Sequence, residues 1–445
     1  LYIDQTGDLN ILNSPAPYFK DPQALRGTGI DQDWNDAYGN RQRTESGEVY
    51  QGTILEHLLI QHLTAFYEVG EHNIFRLRGA DWNDALDMAA EHGESVAFTC
   101  AYAGNLRDLA GLLRRLTKEG DTVSLLEEIQ ELLAGGPAIY PDVPAKANVL
   151  ERYTRRCIHN VSGRTIRVSL RELADNLEIK ADWLMEHIRR QEWISDGENG
   201  WFNSYYDNHG RQVEGVQPDG SVRMMLTGQV FAIMSGTATD TQVEAVARSA
   251  DRYLYKKEAG GYRLNTDFHE LKFDMGRMFG FAYGEKENGA VFSHMTVMYA
   301  NALYRRGFVR EGYRALQSLA DTALDFQTSR IFPGIPEYFN ADGRGMYHYL
   351  TGAASWYMLT VITEMFGVHG EGGDLGITPK LVREQFDERG EAAIDFSFAG
   401  KQFHAVIVNP AGKDFGAYRA PRTVLSREKI NSLPESGNTI RVELT

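Results

Sequence analysis

The chain has few cysteines, fewer basic than acidic residues and no long apolar run, and each shortage excludes a class of protein. Only Cys100 and Cys157 occur among 445 residues, which excludes a disulfide framework and a cysteine-rich zinc site. The 46 Lys and Arg against 61 Asp and Glu give a net charge of −15, which argues against non-specific binding to nucleic acid or anionic membranes. The sequence has no run of about 18 apolar residues, so it predicts no membrane span. We therefore expect neither nucleic acid nor a membrane as a partner.

The start of the chain has neither a methionine nor a cationic and apolar leader. Residues 1–12 (LYIDQTGDLNIL) are instead typical of the middle of an ordered region. We therefore expect the chain to be part of a longer protein, with the cytoplasm as its simplest compartment.

Several motifs of common enzyme classes are also missing. There is no Walker loop, no G-x-G-x-x-G and no G-x-S-x-G. His269-Glu270 lacks a second histidine four residues on, and His57 and His62 are five residues apart, on different faces of a helix. The sequence therefore predicts no metal site.

Apolar residues recur at helical spacing over much of the chain and predict a mainly α fold. The predicted helices lie near 51–69, 96–116, 122–134, 169–190, 228–235, 240–253, 293–306, 309–326 and 352–366. Alternation over 392–410, with a glycine at the turn, predicts a β-hairpin, and 439–445 predicts another strand. We place a boundary near 373–380, between a helical region and a small β-sandwich. Paired helices as numerous as these are typical of an α/α toroid, in which the loops at one end form a pocket.

The segment GADWNDALD (79–87) combines three carboxylates with a tryptophan and an asparagine. This combination suits a sugar substrate, because a tryptophan face can stack on a sugar ring while a neighbouring acid protonates a glycosidic oxygen. The candidate acids here are Asp81, Asp84 and Asp87. The alternative is a cap cluster, with Asp81 or Asn83 capping a helix that follows. A near copy, Asp33-Trp34-Asn35-Asp36, lies upstream, and the motif alone does not distinguish the two.

Two later segments suggest an anion site. In KENGAVFSH (286–294), a turn leads into a helix whose first residues include Ser293 and His294, and a histidine at a helix start suits an anion. Thr351 and Gly352 precede another helical run, where a hydroxyl and a bare backbone can bind phosphate. The alternatives are a buried, satisfied histidine and an ordinary threonine cap with a glycine for close packing. Glu337 adds a carboxylate just upstream of Thr351.

Taken together and in order, these segments resemble the cellobiose-phosphorylase family, the inverting β-glucoside phosphorylases of glycoside hydrolase family 94. The matching segments are TESGEVYQGTILEHLL (44–59), GADWNDALD (79–87), WFNSYYDNHGRQV with TGQVFAIMSG (201–236), KENGAVFSH (286–294), and PEYFN with GRGMYHYLTGAASW (336–356). The resemblance continues to FHAVIVNP (403–410) and covers most of the chain.

The resemblance implies an (α/α)6-barrel catalytic domain over 1–373, incomplete at its N-terminus, and a C-terminal β-sandwich over 374–445. The family's N-terminal β-domain, its first barrel helices and its upstream Arg and Asp motif have no counterpart here; RGTGIDQD (26–33) is only a loose echo of that motif. The family is usually dimeric, which would allow a homodimer. Residues 277–283 (RMFGFAY) depart from the cellobiose-specific pattern and leave the linkage open.

The resemblance also implies roles for individual residues. It makes Asp84 the general acid. The residues expected to face the sugars are Trp82, Lys286, Glu287 and Glu337. The residues expected to bind phosphate are His294, Thr351 and Gly352.

The reaction implied is reversible phosphorolysis of a β-glucosyl di- or oligosaccharide to α-glucose 1-phosphate, by a glycosyltransferase of class EC 2.4.1.-. Phosphate is the co-substrate, and no metal or organic cofactor is expected. One alternative is an inverting hydrolase with Asp84 as acid and Glu287 or Glu337 as base. Another is a non-catalytic carbohydrate-binding half of a larger protein. Substrate length, and membership in a larger protein of the cyclic-glucan-synthase kind, stay open.

Overall fold

The computed structural model describes residues 1–116, 121–331, 334–348 and 351–445. Helices dominate up to about residue 365, and strands follow. The helices are α1 (Tyr2–Thr6), α2 (Ile54–Tyr67), α3 (Val96–Leu116), α4 (Gln130–Leu133), α5 (Val143–Arg156), α6 (Leu170–Gln191), α7 (Leu226–Met234), α8 (Asp240–Tyr253), α9 (Ser293–Arg305), α10 (Val309–Leu324), α11 (Phe326–Ser329), α12 (Gly352–Thr360) and α13 (Arg427–Asn431).

The strands are short in the helical region and longer in the last 80 residues. They are β1 (Pro15–Pro17), β2 (Gln23–Ala24), β3 (Gly29–Ile30), β4 (Arg43–Thr44), β5 (Gln51–Thr53), β6 (Glu94–Ser95), β7 (Thr122–Leu126), β8 (Asn160–Val161), β9 (Thr165–Ser169), β10 (Trp193–Ser195), β11 (Gly200–Phe202), β12 (Tyr205–Tyr206), β13 (Gly215–Val216), β14 (Val222–Arg223), β15 (Tyr255–Lys256), β16 (Gly261–Tyr262), β17 (Val291–Phe292), β18 (Tyr338–Phe339), β19 (Gly345–Met346), β20 (Val368–Glu371), β21 (Asp374–Ile377), β22 (Glu391–Phe398), β23 (Lys401–Val408), β24 (Thr423–Leu425) and β25 (Asn438–Glu443).

Eight of the nine predicted helices are confirmed, as α2, α3, α6, α7, α8, α9, α10 and α12. Several of these helices begin after side-chain caps that satisfy free backbone N–H groups. Thr53 caps α2, Ser169 caps α6, and Thr239 forms a reciprocal capping box with Gln242 at α8. Beyond Thr360 the last predicted helix continues as one π-helical stretch, Val361–Met365.

Two parts of the helix prediction are wrong. The first half of the predicted helix at 122–134 is wrong, because 122–126 form β7, which pairs in antiparallel register with β9. The second half is helical, as the 3-10 turn Glu127–Ile129 followed by α4. Helix α5 was not predicted. It begins after the cap Asp142, and its inward face carries a lysine, Lys146, beside Val149, Leu150 and Tyr153, which interrupts the apolar pattern.

Two clusters of buried side chains hold the helices together. In one, α3 packs against α6, and α2 and α5 lie beside them. In the other, α9 packs against α7, α10 and α12, and the C-terminal strands contribute Leu375, Phe396 and Ile407 to the same cluster. This packing brings the starts of α9 and α12 to one place, where the candidate site lies.

The predicted C-terminal hairpin and final strand are confirmed. Strands β22 and β23 pair in antiparallel register, and β25 joins β23 in parallel. A second sheet has the order β20-β21-β24. The C-terminal run of strands begins at Val368, and Gly372 and Gly373 form the turn between β20 and β21. The division into two domains stays a prediction.

Two lysines are fully buried against aromatic rings. The ammonium of Lys146 lies 4.1 Å from the centroid of Phe66 and donates to Asn73 Oδ1 at 2.7 Å. The ammonium of Lys180 lies 5.5 Å from the same ring and donates to Asn176 Oδ1 at 2.6 Å. In the described ranges neither is paired with a carboxylate. Burial lowers the pKa of Lys180 to about 7, and burial together with the charge of Lys180 lowers the pKa of Lys146.

We expect Lys180→Met to stabilise the protein by about 1–2 kcal/mol at pH 7, because it removes a desolvated amine from an aromatic core. The gain should shrink as pH rises from 7 toward 10. Over that range the unfolded lysine binds a proton that the folded one does not, so the wild type gains stability with pH. Urea unfolding at pH 7 and pH 9 measures both effects. The exposed Lys256→Met is the matched control, and a loss of stability in Lys180→Met at pH 7 would contradict this interpretation.

Candidate active site

The acid-bearing segment 79–88 is held by side-chain bonds to its own backbone. Asp81 Oδ1 accepts the Asn83 N–H at 2.9 Å, and Asn83 Oδ1 accepts the Ala85 N–H at 3.1 Å. Both residues therefore cap backbone groups, as the alternative interpretation proposed. The helix that they were expected to cap is absent, because residues 84–93 form turns.

Asp81 anchors this segment to the β6–β12 ladder. Its Oδ2 accepts the Ser95 hydroxyl at 2.6 Å, and its Oδ1 accepts the Tyr205 hydroxyl at 3.2 Å. Ser95 and Tyr205 are directly paired across the ladder. Burial raises the pKa of Asp81 to about 6, although these hydrogen bonds oppose the rise. Asp81 therefore positions the segment.

Asp84 is the carboxylate of this segment that faces solvent, with 80% of its side chain exposed. The Arg277 guanidinium lies 3.3 Å from Asp84 Oδ2, donates to the Asp84 carbonyl at 2.9 Å and pairs with Asp87. Partial burial raises the pKa of Asp87, but the hydrogen bonds from Arg277 outweigh it and leave that pKa below its usual value. Arg277 can lie this close to the acid segment because its neighbour is Gly276, where a Cβ would lie 2.1 Å from the Ala85 carbonyl oxygen.

Trp82 and the two expected phosphate segments meet around His294. The His294 ring centroid lies 5.8 Å from the ring of Trp82 and 5.8 Å from the ring of Trp356. A Cβ on Gly352 would lie 3.1 Å from His294 Cε1, so the absence of a side chain lets the start of α12 approach the imidazole. Segments that are about 60 residues or more apart in sequence thus share one small space.

Two polar atoms at the start of α9 are buried without a hydrogen-bond partner among the described residues. They are Ser293 Oγ and His294 Nε2. Burial lowers the pKa of His294, which favours the neutral imidazole. Buried polar atoms are normally hydrogen-bonded, so these two atoms are available to a polar ligand. Thr351 caps α12 by accepting the Ala353 N–H at 3.2 Å, as the alternative interpretation proposed, and its hydroxyl can still donate.

Lys286, Glu287 and Glu337 lie beside this space. The Lys286 ammonium is 5.0 Å from the centroid of Tyr347, and a hydrogen bond with Tyr347 raises the pKa of Lys286, with the charges of Glu287 and Glu337 adding to the rise. Glu287 Oε2 is buried and has no partner in the described chain. Burial raises the pKa of Glu287, and the nearby charge of Asp84 adds to the rise. The Glu337 carbonyl accepts the Ser293 N–H at 2.9 Å.

The structure thus brings the predicted residues together. It adds Arg277 and Trp356, which had no predicted role, and it makes Asp81 an anchor and Ser293 a second unpartnered polar group beside His294. Ser293 had a signal, since it directly precedes the histidine at the helix start. Arg277 had no signal in the sequence, because it lies 190 residues from Asp87, its partner in the acid segment.

The upstream copy of the motif lies in another environment. Asn35 accepts the Ala37 N–H at 3.1 Å in a single 3-10 turn, and the Trp34 indole donates to the Gly39 carbonyl at 3.3 Å. Beside it, ligand atoms of Asp31, Asp33 and His159 lie within 4.8 Å of one another, as in a metal site. However, the Lys20 ammonium lies 3.0 Å from Asp31 Oδ2 and already pairs with that carboxylate.

None of the helices in the described part of the chain has both the length and the apolar composition that crossing a bilayer requires.

Residues 167–367, just under half of the chain, match the glycosyl hydrolase 94 superfamily, catalytic domain. The match includes Lys286, Glu287, His294, Glu337, Thr351 and Gly352, and it begins after Trp82 and Asp84.

Three curated proteins illustrate the likeness. The cellobionic acid phosphorylase of Neurospora crassa is 26% identical over 53% of this chain and 30% of its own length. The solabiose phosphorylase of Paenibacillus borealis is 23% identical over 76% of this chain and 38% of its own. The cyclic β-(1,2)-glucan synthase NdvB of Rhizobium meliloti is 22% identical over 86% of this chain and 12% of its own. The chain thus spans well under half the length of these relatives.

Proposed function

The resemblance to the phosphorylases of the glycosyl hydrolase 94 superfamily is confirmed, and from it we propose that this chain carries the catalytic part of an inverting β-glucoside phosphorylase. The observation that supports this best is the meeting of the starts of α9 and α12 around Ser293 Oγ and His294 Nε2, two buried atoms without partners. An anion with several acceptor oxygens suits such a place.

Inorganic phosphate is the proposed occupant. The backbone N–H groups of a helix start carry partial positive charge and bind phosphate, and here two helices of 13 and 9 residues begin side by side. A neutral His294 donates one hydrogen bond from Nε2, and the hydroxyls of Ser293 and Thr351 donate two more. These donors would orient phosphate and offset its charge during attack.

Asp84 is the proposed general acid, and Trp82 the stacking face for the sugar. As the glycosidic bond breaks, Asp84 gives its proton to the leaving oxygen, and a phosphate oxygen forms the new bond to the anomeric carbon from the opposite face. The products are α-glucose 1-phosphate and the shortened sugar, and Asp84 is left as a carboxylate. Sugar bound over Trp82 would cover the exposed Asp84 carboxyl. Phosphate is the only co-substrate that this step requires.

Glu287 suits either reaction. In the hydrolase it could be the general base, because burial raises its pKa, as enzymes often raise that of a glutamate base. In the phosphorylase its carboxyl could hydrogen-bond a sugar hydroxyl. Glu337 remains the other base to consider.

The finer features of the architecture are also part of this proposal. We propose that the helices form part of an (α/α)6-barrel, with the site at the helix starts, and that the two C-terminal sheets form a β-sandwich. The two phosphorylases are about twice as long as this chain, and the active protein is therefore proposed to include chain beyond these residues.

The test is an assay of the complete protein on β-1,2-, β-1,3- and β-1,4-glucobiose with phosphate, in which NMR identifies the products. We expect one linkage to yield α-glucose 1-phosphate. Release of β-glucose 1-phosphate would refute inversion, and release of free glucose alone would favour the hydrolase. Binding of a glucobiose without turnover would favour the non-catalytic alternative.

A further inference from the structure

A cavity of about 410 Å³ lies beside the C-terminal end of α2, and three arginines line it. They are Arg26, Arg76 and Arg78. Its volume lies within the range of small-molecule sites. In a protein with a net charge of −15, three guanidinium groups around one cavity need an explanation.

One buried carboxylate accounts for part of this charge. Glu68, with a side chain only 4% exposed, lies with its Oε2 2.6 Å from Arg26 Nε, and its Oε1 accepts from Arg78 Nε at 3.0 Å. Arg76 instead donates to two backbone carbonyls, those of Val69 at 3.1 Å and Glu91 at 3.4 Å. Glu68 can therefore neutralise one of the three positive charges.

The other carboxylate at the cavity does not balance the rest. Glu151 accepts two hydrogen bonds from Arg155, at 2.9 and 2.6 Å, and is neutralised by it. The cavity thus keeps a charge of about +2. Among the described residues, the terminal guanidinium nitrogens of Arg26 donate no hydrogen bond, so donors as well as charge are left over.

The backbone holds two of these arginines at a conformational cost. Arg26 has φ 56° and Arg78 has φ 56°, both in the left-handed region that residues with a Cβ avoid. Such conformations persist where the surroundings impose them, often at ligand sites. Here both aim guanidinium groups at the same carboxylate and the same cavity.

We propose that Arg26, Arg76 and Arg78 form an anion site separate from the one at His294, and that it takes a phosphate group, either inorganic phosphate or a sugar phosphate. A phosphate dianion matches the excess charge, and guanidinium forks match its oxygens. Arg78 directly precedes the acid segment 79–88, so binding here would also restrain that segment. The site does not depend on the proposed reaction.

The experiment is calorimetric titration of the complete protein with inorganic phosphate and, separately, with glucose 1-phosphate, at constant ionic strength. His294→Phe removes the imidazole donor of the proposed catalytic site. In that background we expect Arg76→Gln to weaken the remaining phosphate affinity about tenfold, and Arg76→Lys to restore part of it. Arg76 is the residue to change because Glu68 keeps both of its partners.

The exposed Arg252→Gln is the matched control for loss of one positive charge. Tighter binding of glucose 1-phosphate than of phosphate would assign the site to the sugar ester, and the reverse order to phosphate itself. Unchanged affinity in Arg76→Gln, or no phosphate binding left in His294→Phe, would overturn the proposal. Unchanged binding in His294→Phe with a loss in Arg76→Gln would support this site and count against the catalytic one.

Discussion

Asp84→Asn is expected to lower phosphorolysis of an unactivated β-glucoside by about 10³-fold or more while sugar binding survives. A proton from a positioned acid contributes about 10²–10⁴-fold, and an amide at this position has no proton of suitable acidity to give. The side chain is largely exposed and its principal partner is Arg277, so the substitution leaves no buried group unsatisfied and the fold should persist.

The measurement compares two substrates. A glucoside with a leaving group that needs no proton, such as a fluoride, should still be converted by Asp84→Asn, because only acid assistance has been removed. Asp36→Asn is the matched control, since Asp36 ends the second Trp-Asn-Asp triplet and is also exposed. Equal losses on both substrates, or loss of sugar binding, would show that Asp84 acts structurally instead.

His294→Phe is expected to raise the KM for phosphate by about 10–10²-fold and to change the KM for the glucoside much less. A hydrogen bond to a charged group is worth about 1.5–3 kcal/mol, which is about 10–10²-fold in affinity. Phenylalanine keeps the ring between Trp82 and Trp356 and removes the unpartnered Nε2, so the protein without phosphate should be at least as stable.

Initial rates over a grid of phosphate and glucoside concentrations separate the two KM values. The exposed His404→Phe, on strand β23, is the control for loss of an imidazole. A rise in the KM for the glucoside with the KM for phosphate unchanged would move His294 from the phosphate site to the sugar site.

Much of the helical framework could be predicted from sequence, because apolar spacing and capping residues are local. Helix α3 has its predicted bounds, 96–116. The errors arose where tertiary packing overrides the local pattern. Lys146 faces inward because Phe66 and Trp183 surround its ammonium, and the side chains of 122–126 follow a strand because β9 is there to pair with them.

The candidate site was predictable in part, and for a different reason. Asp84, His294 and Thr351 were found through motifs whose order resembles a family, not through spacing. Contacts between distant segments leave no local sequence pattern, so the hydrogen bond from Arg277 to the Asp84 carbonyl could not be predicted from the sequence. The same is true of the unpartnered state of Ser293 Oγ, which only the packed structure reveals.

The most direct test of the account is the initial rate of glucoside consumption by the complete protein as phosphate is varied from zero to saturation. The account predicts no consumption without phosphate, a saturable rise with it, and glucose 1-phosphate formed in equal amount to the glucoside consumed. Consumption at the same rate without phosphate, with free glucose as the product, would contradict it.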